Sequence, residues 1–300
     1  MQDFAQHFIN GLSLGSIYAL IALGYTMVYG ILQLINFAHS DVYMMGAFCS
    51  YYAARFLNLN DSQGLPSFVV LLMSSIIGCA ILGFLIERLA YRPLRNAPKL
   101  NVLIAAIGVS LLLQYTGQSV FGDDPKVFPT VLPNVPVLEG SSFTVHSLDL
   151  VVLGVTLLTL LVLNLLIFRT RIGMAMRAVS QNMRVASLMG VNPNRIISAT
   201  FILGSALAGV GSVLVGLKYP KVEPLMGTMI GMKAFIAAVL GGIGNLSGAV
   251  LGAVLMGLSE EMVVGYLSST YRDALAFGIL IAVLIFKPAG LLGRSATEKV

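Results

Sequence analysis

The 300-residue chain is 57% hydrophobic and 10% charged, with a formal net charge of +5 and a mean hydropathy of +0.89. Soluble domains carry about 25% charged residues, so this balance excludes a water-soluble enzyme or binding module and predicts an all-α polytopic membrane protein, one transmembrane domain over 1–300. The excess of cations gives no argument for nucleic acid, because the stretch 169–195 alone holds five arginines and no acid.

A membrane span needs about 20 apolar residues, fewer where it is broken or re-entrant. Nine segments qualify, at roughly 12–34, 40–57, 66–87, 100–121, 148–168, 196–217, 228–243, 246–266 and 272–287. If 228–243 only re-enters, the count is eight. No Lys or Arg precedes Arg55, so the first segment lacks the basic region of a signal peptide and is expected to stay in the protein. Arg88, Arg92, Arg95 and Lys99 mark one loop, 169–195 a second, and Lys287, Arg294 and Lys299 a tail; together these hold 12 of the 18 Lys and Arg. Loop cations accumulate on the cytoplasmic side. The C-terminus is therefore expected inside and, nine crossings back, the N-terminus outside.

Between the first two segments, Ile35-Asn36-Phe37-Ala38-His39-Ser40-Asp41-Val42 inserts four polar side chains, and Leu240 to Gly248 does the same with glycines around Asn245. Either these are tight turns, or they are broken helices of a weak internal repeat whose exposed backbone lines a transport route. On the second reading Asn36, His39, Asp41 and Asn245 are candidate path residues. Gly11 with Gly15, Gly227 with Gly231 and Gly248 with Gly252 have the four-residue spacing that lets helices approach closely. Cys49 and Cys79 lie in apolar runs and read as packing residues, with no disulfide or metal framework; His7 and His146 read as surface residues. The proline-rich stretch 122–147 is expected outside, as a connector or as a surface for a partner. Glu260 and Glu261 fall inside an apolar segment, where an ionisable group is costly unless it is paired or faces a cavity. Lys233 and Arg272 are the candidate partners, and Glu260 joins the candidate path.

In 169–195, Ile172, Met176, Val179, Met183, Ala186 and Gly190 recur at helical spacing while Arg177, Gln181 and Arg184 share another face. That pattern predicts one short amphipathic helix. Gly190 reads as its stop, and Asn192 followed by Pro193 as the cap and first turn of the next helix. The helix either lies passively in the interface or docks a cytoplasmic partner.

Arg184 to Gly190 resembles the coupling-helix motif of ABC importer permeases, Glu-Ala-Ala, three residues, then Gly. It matches at Ala186 and Gly190 and departs at Arg184 and Val185, where an arginine needs an acidic or carbonyl partner instead. A much broader likeness lies in Gly15 to Gly24, Tyr29-Gly30, Ile35 to His39, Asp41, Tyr43-Met44 and Gly46-Ala47, then Lys233 to Gly244, Gly248 to Gly252 and Phe286 to Gly293. Over nearly the whole chain these blocks resemble the permeases of branched-chain amino-acid ABC importers. The resemblance implies a subunit that imports leucine, isoleucine and valine across a bacterial inner membrane by ATP-driven alternating access. It also implies a second, different permease as partner, two ATP-binding subunits that hold ATP and Mg, and a periplasmic substrate-binding protein. On it, Arg177, Arg184, Ala186 and Gly190 become candidate ATPase-coupling residues.

No Gly-x-x-x-x-Gly-Lys-Ser/Thr phosphate loop occurs in the chain, so no ATP or other cofactor is expected on it and energy would come from partners. Urea, amides or other amino acids are alternative cargoes for such a permease. An ion-coupled secondary transporter is a rival reading and would need Asp41, His39 or Glu260 as its titrating group. Bulky apolar spans offer no ring of filter residues for a channel, and the three scattered histidines give no catalytic or metal constellation.

Overall fold

The computed structural model describes residues 2–59, 62–95, 97–139 and 143–293; Arg294 and Lys299 of the expected tail lie outside the described residues. The helices run in order α1 (Gln2–Leu32), α2 (His39–Phe56), α3 (Leu65–Ile86), α4 (Arg92–Leu94), α5 (Lys99–Phe121), α6 (Ser147–Arg169), α7 (Arg171–Gln181), α8 (Met183–Leu188), α9 (Pro193–Lys218), α10 (Met226–Gly241), α11 (Leu246–Tyr266) and α12 (Arg272–Phe286). A π-helical turn, Glu87–Tyr91, joins α3 to α4. The strands β1 (Lys126–Val127), β2 (Pro136–Glu139), β3 (Thr144–His146) and β4 (Lys221–Val222) form two antiparallel pairs, β1 with β4 and β2 with β3.

Every expected apolar segment is helical, and among the described residues seven helical stretches are long and apolar enough to cross a membrane. The two that fall short are α2, with its polar first turn, and the 16-residue α10. α1 starts ten residues before the expected segment because the polar residues from Gln2 to Asn10 continue its hydrogen-bonded ladder without being apolar.

The buried axis is α1 with α9: 83% of each spanning stretch is enclosed, against 17% for α5 and 11% for α12. α2, α3, α10 and α11 close around that axis, and α5, α6 and α12 form its outer wall. Missing side chains permit the tightest crossings. A Cβ on Gly15 would lie 2.8 Å from Val254 Cα of α11, and one on Gly11 2.9 Å from Leu258 Cα. Gly227 and Gly231 of α10 abut Ser40 of α2, and Gly248 and Gly252 of α11 abut Gly241 and Ala237 of α10. All three spaced glycine pairs therefore sit at helix contacts, as close approach requires. Cys79, fully buried, donates to Val42 O at 3.3 Å, and Cys49 packs on Gly78.

The cation-rich segments gather at one end of the bundle, where Arg95 Nη1 donates to Asn194 Oδ1 at 2.6 Å. At the opposite end the 122–147 stretch is woven into the fold. Phe128 packs on Gly216 in the core, Val131 O accepts from Gly64 N at 2.9 Å, and Gln6 Oε1 accepts from Thr144 N at 2.8 Å. It is therefore more than a connector. His7 departs from the expected surface position: its ring lies against Gly265 and 5.8 Å from that of Tyr266, because the start of α1 packs on the end of α11.

Candidate functional site

The first polar break is re-entrant. After Leu32, Gln33 takes φ +53°, a turn conformation rare outside glycine, and the chain folds back until His39 packs against Gly24. Gly24 is about 12 Å up α1 from Leu32 at 1.5 Å per residue, so α2 begins inside the bundle. Asp41 in its first turn complements the positive helix N-terminus and accepts from Ser110 Oγ at 2.5 Å and Gln114 Nε2 at 2.9 Å on α5. Asn36 Oδ1 accepts from Tyr91 O–H at 2.9 Å. The extra residue of the π turn directs Glu87 and Tyr91 inward together. His39 meets the edge of Tyr25, ring centroids 4.7 Å apart. All three break residues are buried: hydrogen bonds hold Asn36 and Asp41, while His39 packs by its ring with Nε2 unpartnered among the described residues, and none of them lines the cavities beside Glu260 or the connector.

The second break is a tight turn at the cation-rich end. Gly242 and Gly244 take φ +106° and +94°, which glycine alone adopts without strain. Asn245 Oδ1 caps α11 by accepting from Gly248 N at 3.2 Å, and its Nδ2 donates to Leu292 O at 2.8 Å. Leu291 and Leu292 N–H groups donate to Leu240 O and Gly241 O at 2.8 and 2.9 Å. The segment from Lys287 to Gly293 therefore satisfies carbonyls that the end of α10 leaves open.

The connector lies beside this turn and consists of two helices, which corrects the single helix expected from its stripe. Asn182 (φ −156°) ends α7 and caps α8, its Oδ1 accepting from Arg184 N and Val185 N at 3.0 and 3.1 Å. Periodicity runs through such a break because the apolar spacing survives it. On α7, Met176 and Val179 are buried, Ile172 is exposed, and Arg177 stacks over Phe168 at 5.2 Å. Arg177 also lines a cavity of about 480 Å³ with Tyr29, Gln33, Gly244 and Asn245. α8 ends where Gly190 takes φ +85°: Gly190 N donates to Ser187 O and Val191 N to Ala186 O, the Schellman pattern. Of the remaining candidates, Ala186 anchors α8 while Arg184 and Gly190 face outward. Asn192 caps α9 as expected, with Pro193 in its first turn.

Glu260 forms the third feature. Fully buried, it accepts from Tyr18 O–H at 2.8 Å, and Lys233 Nζ lies 2.7 Å from its Oε1. Arg272 Nε lies 3.4 Å from Glu260 Oε2, and Arg272 Nη2 donates to Glu261 at 3.0 Å; Asp273 closes on Lys233 at 2.8 Å. Glu260 thus has both expected partners. The pairing is by proximity of charge, since Glu260 Oε1 and Arg272 Nε make no aligned hydrogen bond. Tyr18, Lys233 and Arg272 form the polar end of a cavity of about 320 Å³, within the range of small-ligand sites. Leu14, Ile17, Val215, Met226, Met229 and Ile230 form its apolar remainder, with Tyr219, Lys221 and Glu223 at the mouth. One end offers two cations and a phenol hydroxyl, the other offers hydrocarbon, and the one acid in the lining, Glu223, stands at the mouth, a set that suits a small carboxylate with an apolar tail.

Comparison with known proteins agrees. A family model described as the permease component of the branched-chain amino acid transport system matches residues 7–284. The chain belongs to that permease family. It is 43% identical to the high-affinity branched-chain amino acid transport system permease protein BraD of Pseudomonas aeruginosa, covering 99% of this chain and 98% of the relative. It is 41% identical, over the same shares, to the permease protein LivH of Escherichia coli. The permease protein LivM of Salmonella typhimurium is 26% identical over 92% of this chain and 68% of its own length. No solved structure matches the chain.

Two buried clusters of this permease escaped the sequence reading. Glu87 pairs with Arg95 and accepts from Ser198 Oγ at 2.6 Å, tying α3 to α9. Burial lowers the Arg95 pKa from its ordinary value, and the Glu87 carboxylate opposes the shift. At the other end Lys218 reaches Asp149 at 2.8 Å and Ser13 at 2.7 Å. An acid in an apolar run, the signal that singled out Glu260, also marks Glu87 and Asp149, which fall at the ends of their runs.

Proposed function

We propose that this permease moves leucine, isoleucine and valine across a bacterial inner membrane as one subunit of an ABC importer. The observation that carries the reading is the 41–43% identity, over 99% of the chain, to permease proteins named for branched-chain amino acid transport. The weaker, similarly extensive likeness to LivM supports a second, homologous permease as partner. Two ATP-binding subunits carrying ATP and Mg, and a periplasmic binding protein, complete the assembly. Bias of loop cations toward the cytoplasm puts the 169–195 connector and the C-terminus inside and the 122–147 loop in the periplasm. That loop exposes Val135, Val137, Leu138 and Phe143 toward the binding protein.

Cargo handed over at the periplasmic end meets the 320 Å³ cavity first. The carboxylate turns to Lys233 and Arg272, the ammonium to Glu223 at the mouth, and the apolar side chain to Met226, Met229 and Ile230. Closure of the ATPases presses on α8, whose Val185, Leu188 and Met189 are exposed. α7 passes that motion to the end of α1 and to the Gly242–Asn245 turn through Met176 and Arg177. Asn36, His39 and Asp41 hold the re-entrant segment in register, and Asn245 holds the turn.

The test is leucine uptake into proteoliposomes holding this chain with its partner permease and ATPases, with binding protein outside. Uptake that requires both ATP and binding protein supports the reading. Uptake driven by a proton or sodium gradient through this chain alone overturns it in favour of a secondary transporter.

A further inference from the structure

Beyond transport, we propose that the cation-rich end holds an anionic phospholipid, its phosphate between Arg88, Arg92 and Arg195 and its acyl chains along α3. The three arginines line one cavity of about 380 Å³ with Asn192, Asn194 and Ser198, between the end of α3 and the start of α9. Among the described residues none of the three forms an ion pair, whereas Arg95 beside them is committed to Glu87. Glu87 is the acid of this region, and it is fully buried and neutralised by Arg95. Asn194 Oδ1 accepts from Arg95, and its amide N–H groups have no acceptor among the described residues. An uncompensated arginine cluster with amide donors is the chemistry that recognises a phosphate diester.

The floor of the cavity selects a lipid over a free phosphate. Phe84, Ala199 and Ile202 line it, and from Phe84 the exposed residues Ile81 and Ile77 continue along α3 one turn apart. The site thus passes from charge to hydrocarbon over one helix end, the profile of a headgroup with its chains. Basic pockets between helices at a membrane surface bind anionic headgroups on the same grounds.

The full chain, purified in detergent, is titrated with phosphatidylglycerol and with phosphatidylcholine of identical acyl chains, and bound lipid is counted by native mass spectrometry. The expected result is retention of one phosphatidylglycerol with a preference of about tenfold or more, given roughly fivefold per basic residue near an anionic headgroup. The triple variant Arg88→Gln/Arg92→Gln/Arg195→Gln should bring the two lipids within about twofold, and Arg88→Lys/Arg92→Lys/Arg195→Lys should keep part of the preference. A control of equal charge loss elsewhere, Arg169→Gln/Arg171→Gln/Lys287→Gln, should retain it. Unchanged preference in the first variant, or equal loss in the control, overturns the site. Displacement of the lipid by millimolar inorganic phosphate overturns the lipid assignment. A wild-type chain without preference, whose arginines are instead needed to bind the ATPase subunits, makes the cluster a protein contact and also overturns it.

Discussion

At Glu260 a carboxylate with no solvent exposure sits among two cations, two further acids and a tyrosine hydroxyl. Removing one partner from such a group strands the other, at a cost of about 3–5 kcal/mol for a buried pair. Lys233→Met leaves Glu260 with Arg272 and Tyr18, so the expected loss is at the lower end, about 3 kcal/mol. Lys233→Met/Glu260→Gln removes both charges and should recover most of that stability, with leucine uptake still low because the polar end of the cavity has lost its ammonium group. Thermal unfolding in detergent together with proteoliposome uptake reads both quantities; equal midpoints for the single and double variants would show that the pair is not coupled. The cluster was half legible in the sequence. A carboxylate in an apolar run announces that it needs a partner, and Lys233 and Arg272 were within reach of the expectation. Asn36 and Asp41 gave the opposite lesson. Polar residues in a break point equally to a path or to an internal clamp, and only the fold shows Tyr91, Ser110 and Gln114 arriving from distant segments to bind them.

Among the elements, α8 combines an exposed apolar tip with a fixed shape. Leu188 and Met189 are 87% and 80% exposed on a six-residue helix fixed by Asn182 at one end and Gly190 at the other. An apolar tip held rigid above the bundle suits docking. Leu188→Asp should change stability by no more than about 0.5 kcal/mol, as exposed substitutions do, yet abolish ATP-driven uptake. Gly190→Arg adds charge where no atom stands within 4 Å of the new Cβ, although its positive φ brings strain. It should leave a folded protein in which ATP hydrolysis no longer drives uptake. Parallel measurement of folded yield, hydrolysis and uptake separates these outcomes, and normal coupled uptake by both variants would remove the docking role. The stop at Gly190 and the cap at Asn192 were readable because each is a local demand of one backbone conformation. The break at Asn182 was not, since an asparagine inside an amphipathic stripe carries no mark of which hydrogen bonds it will accept.

Across the whole molecule, the distribution of cations and the number of apolar runs were enough to anticipate the arrangement. The Arg88 to Lys99 segment, the connector and Lys287 do converge on one end, while 122–147, β4 and the first residues of α1 meet at the other. Hydropathy reads these ends well because it is a property of each segment alone. The pairing of α1 with α9 and α11 depends on glycine contacts between segments far apart in the chain, so the spacing announced close approach without naming the partner. What remains is which end faces the cytoplasm, and two single cysteines decide it. Asp124 is exposed on the 122–147 stretch and Ser187 on α8. With Cys49 and Cys79 replaced by alanine, a membrane-impermeant maleimide applied to intact spheroplasts should label Asp124→Cys and spare Ser187→Cys until the membrane is permeabilised. The reverse pattern would place α8 outside. That would remove it from the ATPases, take the arginine cavity away from the inner leaflet, and leave the Glu260 cavity opening where no periplasmic protein could reach it.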